Sequence, residues 1–463
     1  MQGTLFSPET GLDVRYARFQ SMPIGQLRLA LPIKELAALL PSPVSDQQGG
    51  KSPWFDNEGK IALQFLKAYE DCSDERLRHR INTDWSLQFF CGISLGPNEE
   101  IKDTNLIWQI RKLVAAHLNI PSFQKILIEN WKGDVDDSKS ASSDATAYES
   151  YIKHPTTVKL LWDCNEWLHQ QIKKWCKELC LVRPRNKYKD NRIRQQNYQK
   201  QKRKTYKHRR KQVRLLLALL DKQLMQFDEI LAYGQLQIDE KTALLPQKDW
   251  NRYQTIAKIY EQQQSLYQDS SQPMGERIVS LYKPYLHPIV RGKETKRVEF
   301  GAKVNTWQVG GLNFVEHLAF RNFHEGNRLK NGIVFHQKHF GALRRLGADR
   351  LYATNANRSF CSRFGIRTNF QPKGKQKSDP VIRKQESQMR ALIGKVRSTV
   401  LEGAYGNEKN HYGLGKVKAR NEKTEIAWIF FGMMTANGVK VAKSRAKNNQ
   451  QKGKSPPTHS VAA

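Results

Sequence analysis

The sequence predicts an α/β domain interrupted by an all-α module. Three observations carry that expectation. Strand-like segments stand on both sides of a long helical stretch, and RVEFGAKVNTWQVGGLNFVEHLAF at 297–320 reads as a hairpin with one buried face. Between Arg183 and Arg214 the chain carries 15 Lys and Arg against a single acid, Asp190, which sets that stretch apart from its flanks.

Residues 1–130 read mostly helical. GKIALQFLKAYEDCSDERLRHRI (59–81) places Ile61, Leu63, Phe65, Leu66 and Tyr69 in one apolar segment, and Ser73-Asp74 offers the N-cap of a second helix. With Arg76, Arg78, His79 and Arg80 on that second helix, the pair fits a helix-turn-helix DNA reader; a plain helical hairpin fits the same pattern. LPSPVSDQQGGKSP (40–53) is a linker by composition. SSDATAYESYIKHPTTVKLLWD (142–163) sets Asp144 early on a strand-like piece that runs towards an apolar LLW.

The basic stretch interleaves Tyr188, Tyr198 and Tyr206 and continues into LLLALLDKQLMQFDEILAYG, a helix closed by Gly234. A further helical pattern follows in WNRYQTIAKIYEQQQSLY, so 183–276 is expected to be a basic helical insertion. A run with almost no opposing charge gains most from phosphates and released counterions, which makes Arg183, Arg185, Lys202, Arg203, Lys204, Arg209, Arg210 and Lys211 candidate DNA-backbone contacts. After the hairpin, NRLKNGIVFHQKHFGALRRL is helical, and LGADRLYATNANRSFCSRFGI is a short strand ending at Asp349 that leads into a helix capped near Asn355. IRTNFQPKGKQKSDP reads as a strand and basic loop. A long helix from about Val381 past Leu401 carries an apolar stripe of Met389, Leu392, Ile393, Val396 and Val400, with Glu402 projecting away from it. Residues 441–463 are expected to be a disordered tail.

Charge narrows the partners. The 463 residues hold 77 Lys and Arg against 44 Asp and Glu, a net +33 that a compact protein tolerates best beside a polyanion, with nucleic acid ahead of an anionic membrane. The longest apolar run, IAWIFFGMMTA (426–436), is too short to span a bilayer, and the first residues lack the form of a signal peptide. The expected location is therefore cytoplasmic and nucleoid-associated, with no membrane partner. Six cysteines without a CxxC pair or a matching histidine pair read as reduced thiols, not as a zinc site. Asp134, Asp136 and Asp137 lack the glycine and terminal glutamate of a calcium loop and read as a solvated loop.

Three acids stand where chemistry would want them: Asp144 on a strand, Asp349 at a strand end and Glu402 near the end of a long helix. Carboxylates converging from separate elements can hold two Mg²⁺ ions that clamp the attacking and leaving oxygens of an in-line phosphoryl displacement.

Four ordered blocks carry a resemblance. DATAYESYIKHPTTVKLLWD, PYLHPIVRGKETKRVEFGAKV, LGADRLYATNANRSFCSRFGIRTNF and RSTVLEGAYGNEKNHYGLGKVKAR resemble the DDE transposases of bacterial insertion sequences, specifically the IS-five group, across most of 60–440. The resemblance implies an RNase H-like mixed sheet core over 140–182 plus 277–440, interrupted by the 183–276 insertion and preceded by an N-terminal helical DNA-binding domain at 1–130. It implies the triad Asp144, Asp349 and Glu402 as catalytic residues and ligands of Mg²⁺ or Mn²⁺, two ions in all. It also implies DNA as partner, both terminal inverted repeats and target, with a homodimer or higher multimer on that DNA. The related Tyr-x2-Arg-x3-Glu-x6-Lys signature puts Lys409 in its lysine slot for gripping a phosphate. The arginine slot falls on Ser398, with Arg397 one place early, and the tyrosine slot falls on Gly394. The implied activity is cleavage at the element's ends followed by 3′-hydroxyl strand transfer into target DNA. A non-enzymatic nucleic-acid-binding protein and an RNase H-fold nuclease without strand transfer are the alternatives.

Overall fold

The computed structural model describes residues 11–42, 53–237, 244–272, 275–290, 298–374 and 379–452, in two compact units, Met1–Tyr151 with Gly301–Ala463, and Ile152–Phe300. Most of the 40–53 linker, part of the 371–379 basic loop and the last residues of the tail lie outside the described residues.

Among the described residues the first unit begins with eight helices: α1 (Leu12–Ser21), α2 (Pro23–Ala30), α3 (Ile33–Ala37), α4 (Asn57–Glu70), α5 (Asp74–Thr83), α6 (Trp85–Cys91), α7 (Leu106–His117) and α8 (Ile120–Trp131). The Ser73 hydroxyl accepts from Arg76 N–H and Asp56 from Gly59 N–H, so both ends of the α4–α5 pair start on capped turns. Two of the arginines expected to face DNA are engaged within the unit. Arg78 donates to the Ile101 carbonyl at 2.6 Å, and Arg80 pairs with Glu70 and Asp84. Strand β1 (Ser140–Glu149) follows.

The second unit is built on α9 (Thr157–Glu178), α10 (Tyr188–Lys200), α11 (Tyr206–Gln235) and α12 (Gln247–Gln268). Leu161, Leu168 and Ile172 of α9 meet Leu216, Leu220 and Phe227 of α11 and Ile256 and Ile259 of α12 in one apolar core. Asn165, fully buried, donates to the carbonyls of Leu161 and Leu216 and so ties α9 to α11. A short strand, β2 (Pro288–Val290), pairs antiparallel with Val298–Phe300 at the start of β3 (Val298–Val309).

The first unit resumes along β3, turns at Gly310-Gly311, both at positive φ, and returns as β4 (Leu312–Ala319). Then come α13 (Leu329–Phe340), β5 (Arg345–Ala348), α14 (Asn355–Arg363), β6 (Arg367–Thr368), α15 (Pro380–Val396), α16 (Glu402–His411) and α17 (Glu422–Lys452). The sheet order is β4-β3-β1-β5-β6, antiparallel from β4 to β1 and parallel from β1 to β6. The free edge of β4 is met by Gln124 of α8, whose amide both donates to and accepts from the Val315 backbone. Helix α17 packs on α2, α4 and α7 and sets Phe430 and Phe431 against Phe65 and Phe123, so the N-terminal helices and the sheet share a core.

Three expectations are corrected. Residues 441–452 are not disordered but continue α17, because Val441 and Ala442 are buried and the Arg445 guanidinium forks onto Asp134 at 2.8–3.1 Å. The apolar stripe of α15 does not face a core: Ile393 is buried, but Leu392, Val396 and Val400 are exposed. Asp144 is not early on its strand but midway. The polar Ser142 and Ser143 before it are buried strand residues, paired with Gln308 and Trp307 on one side and Gly347 and Ala348 on the other.

Candidate active site

Strand β1 runs through the middle of the sheet, and its parallel register with β5 sets Ser143 opposite Ala348. Asp144 and Asp349 are each the next residue, so the two aspartates stand side by side where β5 ends. Asp349 opens a 3-10 turn but makes no capping hydrogen bond with its side chain.

Glu402 arrives from α15 and α16, which are joined by a π turn at Arg397–Leu401. In a π turn the hydrogen-bond step is five residues, not four. Arg397, five places before Glu402, therefore faces the side that an arginine four places earlier would face in a regular α-helix. Its guanidinium donates to Asp144 Oδ2 at 2.6 Å and lies 3.5 Å from Glu402 Oε1, bridging the two carboxylates. Gly347 admits this close approach: a Cβ there would stand 3.1 Å from the Ile393 carbonyl oxygen and 3.2 Å from Arg397 Cβ.

The rest of α16 is read off the same face of β1. Asp144, Thr146 and Tyr148 alternate to one side of the strand, and Glu402, Tyr405, Glu408 and Lys409 recur at helical spacing. Tyr405 donates to the Asp144 carbonyl at 3.0 Å, Lys409 Nζ to Thr146 Oγ1 at 2.9 Å, and the Tyr148 hydroxyl to Glu408. The threonine of the D-x-T block is thus a seat for the lysine of the glutamate block.

Electrostatics at Asp144 favour a cation. Burial pushes its carboxyl up to about 6; Arg397 and the Ala145 N–H oppose that shift, while the neighbouring charges of Glu325 and Asp349 add to it. Glu325 itself is buried against Lys303 at 2.9 Å, which accounts for it as a structural pair. The donor set at Asp144 and Asp349, hard oxygens beside one another, fits a divalent cation such as Mg²⁺. Glu402 is not drawn into that pair; its side chain is 59% exposed and answers Arg397 instead. Among the described residues no group of three or more His, Cys, Asp or Glu is gathered closely enough to hold a metal ion.

Residues 346–437 match a family model described as a transposase DDE domain. The match supports a DDE-type transposase and implies DNA as partner. The matched segment of the transposase DDE domain contains Asp349, Arg397, Glu402 and Lys409, whereas Asp144 and the basic stretch lie outside it. No curated protein and no solved structure matches the chain. No helix among the described residues is long and apolar enough to cross a membrane.

The other expected DNA contacts lie in the second unit. Lys202, Arg203, Lys204, Arg209, Arg210 and Lys211 are all exposed around the loop before α11 and along its first turns. Arg183 is exposed too but hydrogen-bonds the His169 ring, whose nitrogens burial and nearby cations keep neutral, with a pKa pushed down to about 4. The exposed Arg185 keeps its carbonyl on Gln226 Nε2.

Sequence reasoning passed over Tyr405 and Glu408. Their signal was two successive three-residue steps, Glu402 to Tyr405 and Tyr405 to Glu408, each of which sets neighbours on the helix surface. Glu408 accepts from Asn313 Nδ2 at 2.7 Å, and Asn313 exchanges backbone hydrogen bonds with the Asn437 amide, so α16 is tied to β4 and α17. Burial pushes Glu408 from an ordinary 4.5 up to about 7. Between those values the folded chain holds a proton that the unfolded chain has released, so stability falls as pH rises. Glu408→Gln is expected to flatten that slope in thermal melts between pH 5 and pH 7; an unchanged slope would remove Glu408 as its source.

Proposed function

We propose that this protein is a DDE transposase that cleaves DNA at the ends of its own mobile element and transfers the resulting 3′-hydroxyl into target DNA. The observation that carries this reading is the pair of Asp144 on β1 and Asp349 just past the end of the parallel neighbour β5, with Glu402 linked to Asp144 through one guanidinium. A sheet with the first aspartate on its middle strand and the second off the end of its parallel neighbour supports an RNase H-like core of the IS-five kind.

Asp144, Asp349 and Glu402 would hold the divalent ions, Mg²⁺ or Mn²⁺. When bound, such ions supply Lewis acidity and charge neutralisation at the attacking and leaving oxygens. Arg397 keeps Asp144 ionised against its burial, and Tyr405 and Lys409 fix α16 along β1, which leaves Glu402 at the Arg397 guanidinium beside the aspartates. Lys409 presents an ammonium beside that site, where it can grip a phosphate of the element's end. Hydrolysis of the terminal phosphodiester leaves a 3′-hydroxyl, and that hydroxyl attacks a target phosphate in the same site. No covalent enzyme intermediate is required.

Cleavage and joining of labelled element-end DNA with Mg²⁺ test the reading. Joined product distinguishes a transposase from a nuclease of the same fold, and its absence beside robust cleavage would favour the nuclease.

The basic stretch would track DNA backbone. Replacing Lys202, Arg203 and Lys204 together with alanine is expected to reduce the slope of log binding constant against log salt by up to about 2.7 on duplex DNA. An unchanged slope would make the run a solvated face.

A further inference from the structure

The second unit contains a cleft of about 1350 Å³ that the cleavage chemistry does not use. That volume exceeds the roughly 300–1,000 Å³ of a small-molecule pocket and suits a segment of a polymer. The lining combines three tyrosines with cations. Lys204 Nζ sits 5.6 Å from the Tyr198 ring centre, the Arg209 guanidinium 5.5 Å from Tyr206, and that of Arg210 4.6 Å from Tyr267. Arg210 also donates to the Tyr206 hydroxyl at 3.2 Å. A guanidinium over a ring occupies the face that a nucleobase would take, and it keeps positive charge where the attached phosphate would lie.

A second observation points to a base. Gln263 lines the cleft at 1% exposure, and neither its amide oxygen nor its amide nitrogen has a hydrogen-bond partner. Gln195, also in the lining, uses its oxygen to accept from Gln212 but leaves its Nε2 unpaired. A buried amide with both a donor and an acceptor unspent is costly unless something completes it. The edge of an unpaired nucleobase offers that same complement, acceptor and donor side by side, in the way glutamine reads adenine. A duplex exposes such an edge only in its groove and keeps its base faces stacked, so an edge at Gln263 together with bases lying on the tyrosines calls for unpaired nucleotides.

We propose that this cleft binds an unpaired stretch of single-stranded DNA, with bases stacked on its tyrosines and one base edge against the Gln263 amide. The inference rests on DNA being the partner, as in the reading above, and does not require cleavage.

The test uses the full chain in EDTA, so that cleavage plays no part. Fluorescence anisotropy compares oligo-dA, an abasic strand and a blunt duplex, all of equal length. Oligo-dA should bind more tightly than the abasic strand. Tyr206→Ala, at a side chain already 61% exposed, should weaken oligo-dA by about tenfold and leave the abasic strand unchanged. Gln263→Leu removes the unspent amide while keeping its bulk; it should weaken oligo-dA as well, with a thermal midpoint equal to or above wild type. Equal affinity for oligo-dA and the abasic strand, or no loss in either variant, would overturn the proposal and leave a phosphate-tracking surface. Loss of binding to every DNA, duplex included, would overturn this proposal together with the assignment of DNA as partner. Duplex binding without Mg²⁺-dependent cleavage in the parallel assay would count against the transposase reading alone.

Discussion

Asp349→Ala is expected to lower cleavage of labelled element-end DNA by about 10³-fold or more, with duplex binding and the thermal midpoint near wild type. The magnitude follows from the several kcal/mol of transition-state charge stabilisation that a correctly held divalent ion supplies. The fold should tolerate the change because the Asp349 side chain caps no helix, and the strand before it is held by β1 and β6 through backbone pairing. Glu402→Ala should behave in the same way, since its carboxylate is mostly solvated and meets Arg397 only at 3.5 Å. Anisotropy on the same DNA separates catalysis from binding. Cleavage that survives in both variants would remove the triad from the mechanism.

Arg397→Ala is expected to cost stability as well as activity. Its guanidinium and the Asp144 carboxylate are both largely buried, at 15% and 19% side-chain exposure, and lie 2.6 Å apart. Removing one member of such a pair strands the other charge, at a cost of about 3 kcal/mol, the low end for a buried pair because both groups keep some solvent. The sign with pH follows from Asp144. Its carboxyl is already raised to about 6 and would rise further without the cation beside it. The deficit should be full above that range and shrink as pH falls below it, where a protonated Asp144 no longer needs a partner. Added Mg²⁺ should raise the thermal midpoint of Arg397→Ala more than that of wild type, because the ion no longer competes with a guanidinium for Asp144. Equal Mg²⁺ shifts in the two proteins would argue that Asp144 is not where the ion binds. Arg397→Lys keeps the charge but not the planar fork, and should recover stability in part.

Much of this architecture was legible locally. Alternation in VEFGAKVNTWQV and the Gly310-Gly311 turn announced β3 and β4, and Ser73 announced the start of α5. Other features were hidden by rules that hold only on average. Ser142 and Ser143 look like loop residues, yet they are buried mid-sheet, where their small side chains fit opposite Gly347 and Ala348. Lys and Asn dominate the end of α17, and its helix persists because Arg445 finds Asp134 more than 300 residues earlier in the chain. The stripe on α15 obeys helical spacing, but spacing says only which residues share a face, not whether that face is covered.

Composition, block order and the identities of Asp144, Asp349, Glu402 and Lys409 were in the sequence by itself, because charge and side-chain chemistry do not depend on the path of the chain. What only the tertiary structure decided is how these residues meet. One extra residue between Arg397 and Glu402 counts against the arginine in a linear signature. The π turn absorbs that residue, since each of its hydrogen bonds spans five positions, and turns Arg397 back onto Asp144. The pairing of Lys409 with Thr146 likewise joins elements far apart in sequence, so no local pattern could announce it.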